Sequence, residues 1–481
     1  MGFWGTYKEI ADRLFCAKRL RGDFFSASAK FNQCLDDLNG ITFGTEQDSL
    51  RLAVCAPLRR LQQKTQVFPL DVKAASRNRL THSLEVKSYS KIIVNNLVKQ
   101  YTSCDLSPLL IPMINCVGNA ALMHDIGNPP FGHFGESLIR EWLNNIVEGH
   151  DCAQDLSDQE KHDLKTFNGN AQGVRLLHSI QDQNLTIGQY AAMIKVPFMV
   201  MELLLGKGKG AASNGIRKDY YSWSYANAGV FLSEFHLLEM IRENFQRTTR
   251  HPFATIIEYA DDLAYVLADL EDAFDRGLIS RDRIIKLCEN VANLSELAEL
   301  KHDLSPTLVS SMFSQRNEAL LYLRSCVAHY YIRDLVQAIC NNFDKYLETG
   351  EPDFQFGNYP GVVMVDMLKD FENKYIYNHY DVQTLDLSGA AYIRGLFSTY
   401  ERLLNESSED LKLELKAEGG DPFCMRIASR ISKRQKQVYF DELERNSYSE
   451  IYNRIRLLVD YISGMTDTYA ASEYRILKGV L

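Results

Sequence analysis

The sequence predicts an all-α protein, because apolar residues recur at helical spacing along most of the chain. The runs 318–346, 390–404 and 448–462 are clear examples, and breakers rich in Gly and Pro, such as 419–422, interrupt the pattern. No series of alternating residues typical of strands is present, and no repeat or low-complexity segment. A fold built from helices alone follows.

The composition is that of a globular protein with a large core. The 481 residues are 46% hydrophobic and 24% charged, and a net charge of −9 excludes a generally basic surface for nucleic acid. No run reaches the ~18 apolar residues of a membrane span, and the first residues do not resemble a secretory signal. Ten cysteines without a C-x-x-C pair indicate reduced, buried thiols of a cytoplasmic protein rather than a disulfide framework or a zinc site.

A basic stretch precedes the first helix of functional interest. Residues 58–68 are rich in Arg, Lys and Gln, and Arg77 and Arg79 follow. These cations are either a solvated helix face or contacts to phosphate. Asn78 or Thr81 is predicted to cap a helix running from His82 to about Tyr101. Its predicted apolar face consists of four residues: Leu84, Ile92, Ile93 and Leu97.

The stretch 124–136, HDIGNPPFGHFGE, carries most of the chemistry. A helix from about Ile111, with Pro112 in its first turn, delivers His124 and Asp125 at its end. Burying such a pair costs several kcal/mol unless each group is satisfied, and a metal ion would satisfy both. His82 can join them if the two helices pack as neighbours; alternatively, it is an ordinary core or surface histidine.

His133 and Glu136 lie three residues apart and share a face if a helix begins near Phe134. A carboxylate beside an imidazole raises its pKa and orients the ring, as a proton donor near neutral pH requires. The alternative is a simple cap or ion pair.

Further basic groups follow a polar, acidic segment near 144–166, which is predicted to be a surface insertion. The loop 206–210 lacks the ending of a phosphate loop and no strand precedes it. Together with Lys195 and Lys218, it could face a polyanion or be merely solvated.

A second informative stretch is 258–272, EYADDLAYVLADLED. In a helix, Asp261, Tyr265 and Asp269 project from one face, close to an apolar stripe. This arrangement suggests that Asp261 acts as a ligand. The alternative is that it lies on a charged outer face of the helix.

Taken together, these residues form the H…HD…D pattern of the HD metal-dependent phosphohydrolases. Six segments are similar to those of the bacterial deoxyguanosine triphosphate triphosphohydrolases. They are RRLQQKTQVFPL, NRLTHSLEV, HDIGNPPFGHFGE, NGNAQGVRLL, EYADDLAY and VDYISGMTDTYA. The resemblance covers nearly the whole chain. It implies an HD-domain helical core with N-terminal helices over 1–280 and additional C-terminal helices over 281–481, packed on the core as a single continuous unit.

The resemblance also implies roles for individual residues. It implies a divalent ion, Mn²⁺ or Mg²⁺ with Fe²⁺ or Co²⁺ as alternatives, held by His82, His124, Asp125 and Asp261. It implies His133 and Glu136 as catalytic residues. The implied substrate contacts, with the basic groups proposed above, are Gln66, Arg79, Asn170, Lys195, Lys218, Tyr265 and Asp269. The chain departs from the family pattern at Val196, where Tyr is usual, and at Asn168, where Glu is usual.

The implied reaction is hydrolysis of dGTP, or of other dNTPs, to the deoxynucleoside and intact triphosphate by water attack at the α-phosphorus. The resemblance further implies a homo-oligomer, often a hexamer, and in some members single-stranded DNA as an effector. Two alternatives remain open. One is another HD reaction, on a phosphomonoester, cyclic nucleotide or alarmone, and the other is a nucleic-acid-binding regulator with a vestigial metal site.

Overall fold

The computed structural model describes residues 4–20, 38–70, 77–197, 228–294, 309, 318–355 and 359–480. Within these residues all regular structure is helical, and the only β-type pairings are two isolated bridges, Arg19 with Thr186 and Thr65 with Asn78. The all-α prediction is therefore confirmed.

The described residues form twenty-one α-helices. The first eleven are α1 (Trp4–Leu14), α2 (Leu38–Val54), α3 (Ala56–Arg60), α4 (Arg79–Gln100), α5 (Leu110–Met123), α6 (Gly132–Gly149), α7 (Asp158–Lys165), α8 (Gly169–Arg175), α9 (Ile187–Met193), α10 (Phe235–Phe245) and α11 (Pro252–Asp275). The other ten are α12 (Arg281–Leu294), α13 (Glu318–Asn341), α14 (Phe343–Thr349), α15 (Pro360–Glu372), α16 (Tyr380–Tyr400), α17 (Ser408–Lys416), α18 (Pro422–Arg430), α19 (Lys433–Arg445), α20 (Glu450–Ser463) and α21 (Asp467–Leu477).

Local signals fix the ends of the helices that matter for the site. The Asn78 side chain accepts a hydrogen bond from the backbone N–H of Thr81, 3.0 Å away, and Thr81 reciprocates in a capping box that starts α4. Pro112 lies in the first turn of α5, whose C-cap is His124. Both predicted helix starts are thus confirmed to within three residues.

The prediction of which residues form the inner face of α4 is wrong in part. Leu84 and Ile92 are exposed, whereas the polar residues His82, Ser83 and Ser90 are buried. The reason is that α4 turns a polar, site-bearing face toward its neighbours, which an argument from apolar periodicity does not anticipate.

Two apolar clusters hold the fold together. The first is built mainly from α1–α5 and α9–α15, and the second from α6, α7 and α16–α21. Each cluster contains residues from both sides of position 280, so core packing links the two regions of the chain. The segment near 144–166 contributes Ile146, Ala153 and Leu164 to the second cluster, because apolar residues recur between its acidic ones.

All nine cysteines among the described residues are free thiols. None of the helices in this part of the chain has the length and apolar character needed to cross a membrane.

Helix α11 begins at a buried histidine. His251 Nδ1 accepts a hydrogen bond from the backbone N–H of Phe253 at 3.2 Å, and Nε2 donates to the carbonyl oxygen of Leu14 at 3.1 Å. Both ring nitrogens are therefore used by the neutral imidazole, and protonation of Nδ1 would break the cap. Burial, with a smaller contribution from Arg247, lowers the pKa of His251 to about 3.

We expect this histidine to make stability depend on pH. Because the pKa falls from an ordinary value of 6.5 to about 3 on folding, the neutral ring stabilises the folded state above pH 6.5 and this stability is lost as pH falls toward 3. The expected loss is about 2 kcal/mol between about pH 7.5 and about pH 5. Urea unfolding of the wild type and of His251→Asn, which keeps a capping oxygen, measures it. Parallel pH profiles for the two proteins would contradict the assignment.

Candidate active site and metal centre

Three helices bring the predicted metal ligands together. Helices α4, α5 and α11 pack pairwise against one another. His82 lies in the first turn of α4, His124 and Asp125 follow the last residue of α5, and Asp261 lies near the middle of α11. The four side chains meet where the three helices contact one another.

The distances describe a compact cluster. His82 Nε2 lies 2.9 Å and His124 Nε2 lies 3.3 Å from Asp261 Oδ1. Asp125 Oδ1 lies 3.5 Å from His124 Nε2, and donor atoms of His82, His124 and Asp125 all lie within 4.8 Å of one another. Two imidazoles and two carboxylates therefore face a common point.

The donor atoms fit a divalent ion. His124 Nδ1 donates to the carbonyl oxygen of Ala121 at 2.6 Å, which leaves a lone pair on Nε2. This Nε2 is buried and has no hydrogen-bond partner. Burial alone would raise the pKa of Asp261, but His124 and Lys195 outweigh it and hold the pKa well below its usual value. Two imidazole nitrogens and two carboxylates suit Mn²⁺, Mg²⁺, Fe²⁺ or Co²⁺ better than a soft metal.

The adjacent acid, Asp262, faces elsewhere. Asp262 Oδ1 lies 2.8 Å from Lys369 Nζ, and its Oδ2 accepts a hydrogen bond from the Tyr331 hydroxyl at 3.4 Å. Asp261 alone of the two contacts the histidines, as one helical position rotates the side chain by about 100°.

Two basic side chains also reach the cluster. Arg79 Nη1 donates to Asp125 Oδ2 at 2.8 Å, and Lys195 Nζ lies 3.2 Å from Asp261 Oδ2. Asn128 Nδ2 donates to Asp125 Oδ1 at 2.5 Å. The acids of the cluster are thus oriented by cations and an amide, and two positive charges stand beside the ligand position. Lys218 lies outside the described residues.

His133 and Glu136 lie one turn apart in α6. Glu136 is buried and accepts hydrogen bonds from Arg140 and, at 3.0 Å, from the backbone N–H of Gly169. His133 is exposed. The structure therefore presents an accessible imidazole one helical turn from a buried carboxylate that Arg140 and the Gly169 backbone hold in place.

The remaining predicted substrate contacts differ in their surroundings. Tyr265 stacks on Tyr377 with ring centroids 6.0 Å apart, and the Tyr377 hydroxyl donates to the fully buried Asp269. Burial raises the pKa of Asp269 to about 7, and its Oδ1 has no partner. Gln66 Oε1 is likewise buried without a partner, whereas Asn170 is half-buried at the start of α8.

Asn168, one of the departures from the family pattern, stabilises the local structure. Its side chain accepts a hydrogen bond from the backbone N–H of Ala171 at 2.9 Å and donates to the carbonyl oxygens of Thr166 and Ala228. It therefore caps α8 and ties the helix to residue 228.

Residues near the C-terminus contact the loop between α5 and α6, and sequence reasoning assigned them no role. Asp467 accepts hydrogen bonds from the backbone N–H groups of Phe131 at 3.0 Å and Thr65 at 2.8 Å. The buried Lys64 donates to the carbonyl oxygens of Asn128 and Ser463. Asn128 and Asp467 stand in the quoted family words, but no local pattern distinguishes them from ordinary polar residues. Lys64 belongs to the basic stretch predicted to be solvated or to contact phosphate, whereas it is buried and its amine binds backbone carbonyl oxygens.

Comparison with known proteins identifies the family of the chain. Residues 434–476, which span α19 to α21, match the family model described as a phosphohydrolase-associated domain. The deoxyguanosinetriphosphate triphosphohydrolase of Serratia proteamaculans is 31% identical, over 90% of this chain and 93% of its own length. A probable deoxyguanosinetriphosphate triphosphohydrolase of Pseudomonas aeruginosa is 32% identical, over 92% of this chain and 94% of its own. With such identity along almost its whole length, the chain belongs to the deoxyguanosinetriphosphate triphosphohydrolase family of HD phosphohydrolases.

Proposed function

We propose that this protein hydrolyses dGTP to deoxyguanosine and intact tripolyphosphate. The observation that carries the proposal is the convergence of His82, His124, Asp125 and Asp261 within hydrogen-bonding distances, beside two cations. The names of the relatives support dGTP as the substrate.

The residues that would hold the divalent ion are these two histidines and two aspartates. When bound, such an ion supplies Lewis-acid chemistry toward a phosphoryl oxygen and makes water more acidic. Asp125 is kept in a single orientation by Arg79 and Asn128, which prepares it for a cation before substrate arrives.

The chain's own side chains would bind the polyanion and move the proton. Arg79 and Lys195 would neutralise charge on the triphosphate as it departs. The bond that breaks joins the α-phosphorus to the nucleoside 5′-oxygen, a poor leaving group that needs a proton. The exposed His133 would transfer that proton, and the buried Glu136 fixes the helix turn that carries it. Gln66 would contact the sugar near its 3′-hydroxyl, and Asn170 would contact the phosphates or the sugar. Tyr265 and Asp269 would contact the nucleotide.

The finer features of the proposal concern the ion and the assembly. We infer Mn²⁺ or Mg²⁺ as the working ion, a homo-oligomer such as a hexamer, single-stranded DNA as an effector, and a cytoplasmic location that suits the free cysteines. Assays with each ion, with and without single-stranded DNA, and light scattering of the purified protein test these features separately.

The decisive experiment identifies the phosphate product. The protein, supplied with Mn²⁺ or Mg²⁺, is incubated with dGTP, and in parallel with GTP and the other three deoxynucleoside triphosphates. We expect deoxyguanosine and tripolyphosphate in equal amounts from dGTP. Orthophosphate or pyrophosphate would contradict the proposal, because a different bond would have been cut, and would favour another HD reaction. The parallel substrates measure selectivity for base and sugar.

A further inference from the structure

A second group of ligand-type side chains lies in the C-terminal helices, outside the proposed active site. Glu406 precedes α17, Glu414 lies in the last turns of α17, and Cys424 lies in α18. Donor atoms of the three residues all lie within 4.8 Å of one another, and the Cys424 thiol donates to Glu406 Oε1 at 3.3 Å. This group, called the hairpin cluster below, brings a thiol and two carboxylates together.

The charge in the hairpin cluster is not balanced by its contacts. Glu414 is fully buried; its Oε1 accepts a hydrogen bond from the backbone N–H of Asp421 at 2.9 Å, and its Oε2 has no partner. Burial raises the pKa of Glu414, and the carboxylates of Glu406, Asp421 and Asp410 raise it further. An unpaired oxygen on a buried carboxylate is costly unless a cation or donor satisfies it.

The nearby guanidinium is committed to other acceptors. Arg454 donates to the backbone carbonyl oxygen of Glu406 at 2.6 Å and lies 2.8 Å from a carboxylate oxygen of Glu450. The Glu406 carboxylate instead meets the nearly fully buried Cys424. The cluster therefore has a buried carboxylate oxygen without a partner and a polarizable sulfur, which favour a cation of intermediate softness.

We propose that Glu406, Glu414 and Cys424 bind a second divalent ion, of the Zn²⁺ class, with a structural role distinct from the His and Asp centre. One sulfur and two carboxylate oxygens are accepted ligands of Zn²⁺, and water can occupy the remaining position. Binding displaces the thiol proton into solvent, since the thiolate is the ligand. The ion would join the segment before α17 to both helices of the α17–α18 hairpin.

The chemistry of sulfur gives a test that does not depend on activity. The full-length protein is titrated with Co²⁺ as a probe for Zn²⁺, and absorbance is followed for a thiolate-to-cobalt charge-transfer band. The His82, His124, Asp125 and Asp261 centre contains no sulfur and cannot produce this band. We expect the wild type to show the band, Zn²⁺ to abolish it by competition, and Cys424→Ser to lack it while retaining the weaker d–d absorption of cobalt bound elsewhere.

Two further variants control the test. Cys340→Ser removes a different thiol, which is half-buried and far in sequence from the hairpin cluster, and should keep the band. Glu414→Gln keeps the side-chain shape and should weaken Co²⁺ binding, measured by the band, at least ~10-fold, the lower end of the effect of losing even an outer contact. Absence of the band in the wild type, or its persistence in Cys424→Ser, would overturn the proposal. Neither outcome would bear on dGTP hydrolysis, which is measured separately.

Discussion

Replacing Asp261 by Asn is expected to lower kcat/KM for dGTP hydrolysis by at least ~10³-fold, equivalent to about 4 kcal/mol of transition-state stabilisation. The reason is geometric and electrostatic. Asp261 Oδ1 is the atom that both His82 and His124 approach, and Asp261 Oδ2 is the partner of Lys195. An amide in this position removes one negative charge and presents a weaker metal ligand to a site that depends on both. Release of deoxyguanosine and tripolyphosphate measures the activity, and elemental analysis of the purified variant measures the bound metal.

Asp262→Asn is the matched control, since it makes the same carboxylate-to-amide change at the neighbouring residue. The Asp262 carboxylate is directed at Lys369 and Tyr331, so we expect kcat/KM to stay within ~10-fold of the wild type, or about 1.4 kcal/mol. Equal losses of kcat/KM in the two variants would show that Asp261 and Asp262 affect activity by stabilising α11. Full activity of Asp261→Asn, with its metal retained, would remove Asp261 from the ligand set.

Local sequence signals predicted the helices and where they begin. A capping amide and hydroxyl at Asn78 and Thr81, and a proline in the first turn of α5, act within a few residues, so their effect is visible in the sequence. The same is true of His124 and Asp125, whose position at the end of an apolar helix follows from the pattern before them.

The inner face of α4 shows where such reasoning stops. Apolar periodicity pointed to Leu84 and Ile92, yet both are exposed, because the helix buries the polar face that carries His82. Packing on a functional site thus overrides the local rule. Contacts between distant residues could not be predicted either. Asp467 accepts hydrogen bonds from Thr65 and Phe131, more than three hundred positions away, and no sequence spacing indicates this contact. Glu406, Glu414 and Cys424 match no ligand spacing either.

Replacing Arg175 by Met is expected to lower the free energy of unfolding by about 3–5 kcal/mol, because it would leave two buried carboxylates without their cation. Arg175 Nη2 lies 2.8 Å from Asp460 Oδ2, and its Nη1 lies 3.1 Å from Glu234 Oε1. All three side chains are almost fully buried. Methionine approximates the length of the arginine stem, so the change isolates the loss of charge and hydrogen bonds from the loss of volume. Urea denaturation monitored by circular dichroism measures the effect.

Arg394→Met supplies the matched control for burial. Arg394 pairs with Glu141 at 2.9 Å, a distance similar to that of the Arg175 pairs, but the two side chains are 60% and 50% exposed. Water screens such a pair, so its loss should change the free energy of unfolding by no more than about 1 kcal/mol. Similar values for the two variants would mean that desolvation does not set the importance of the Arg175 network. A large difference would instead identify the contact of α8 with α20, which joins residues from both sides of position 280, as a main source of stability.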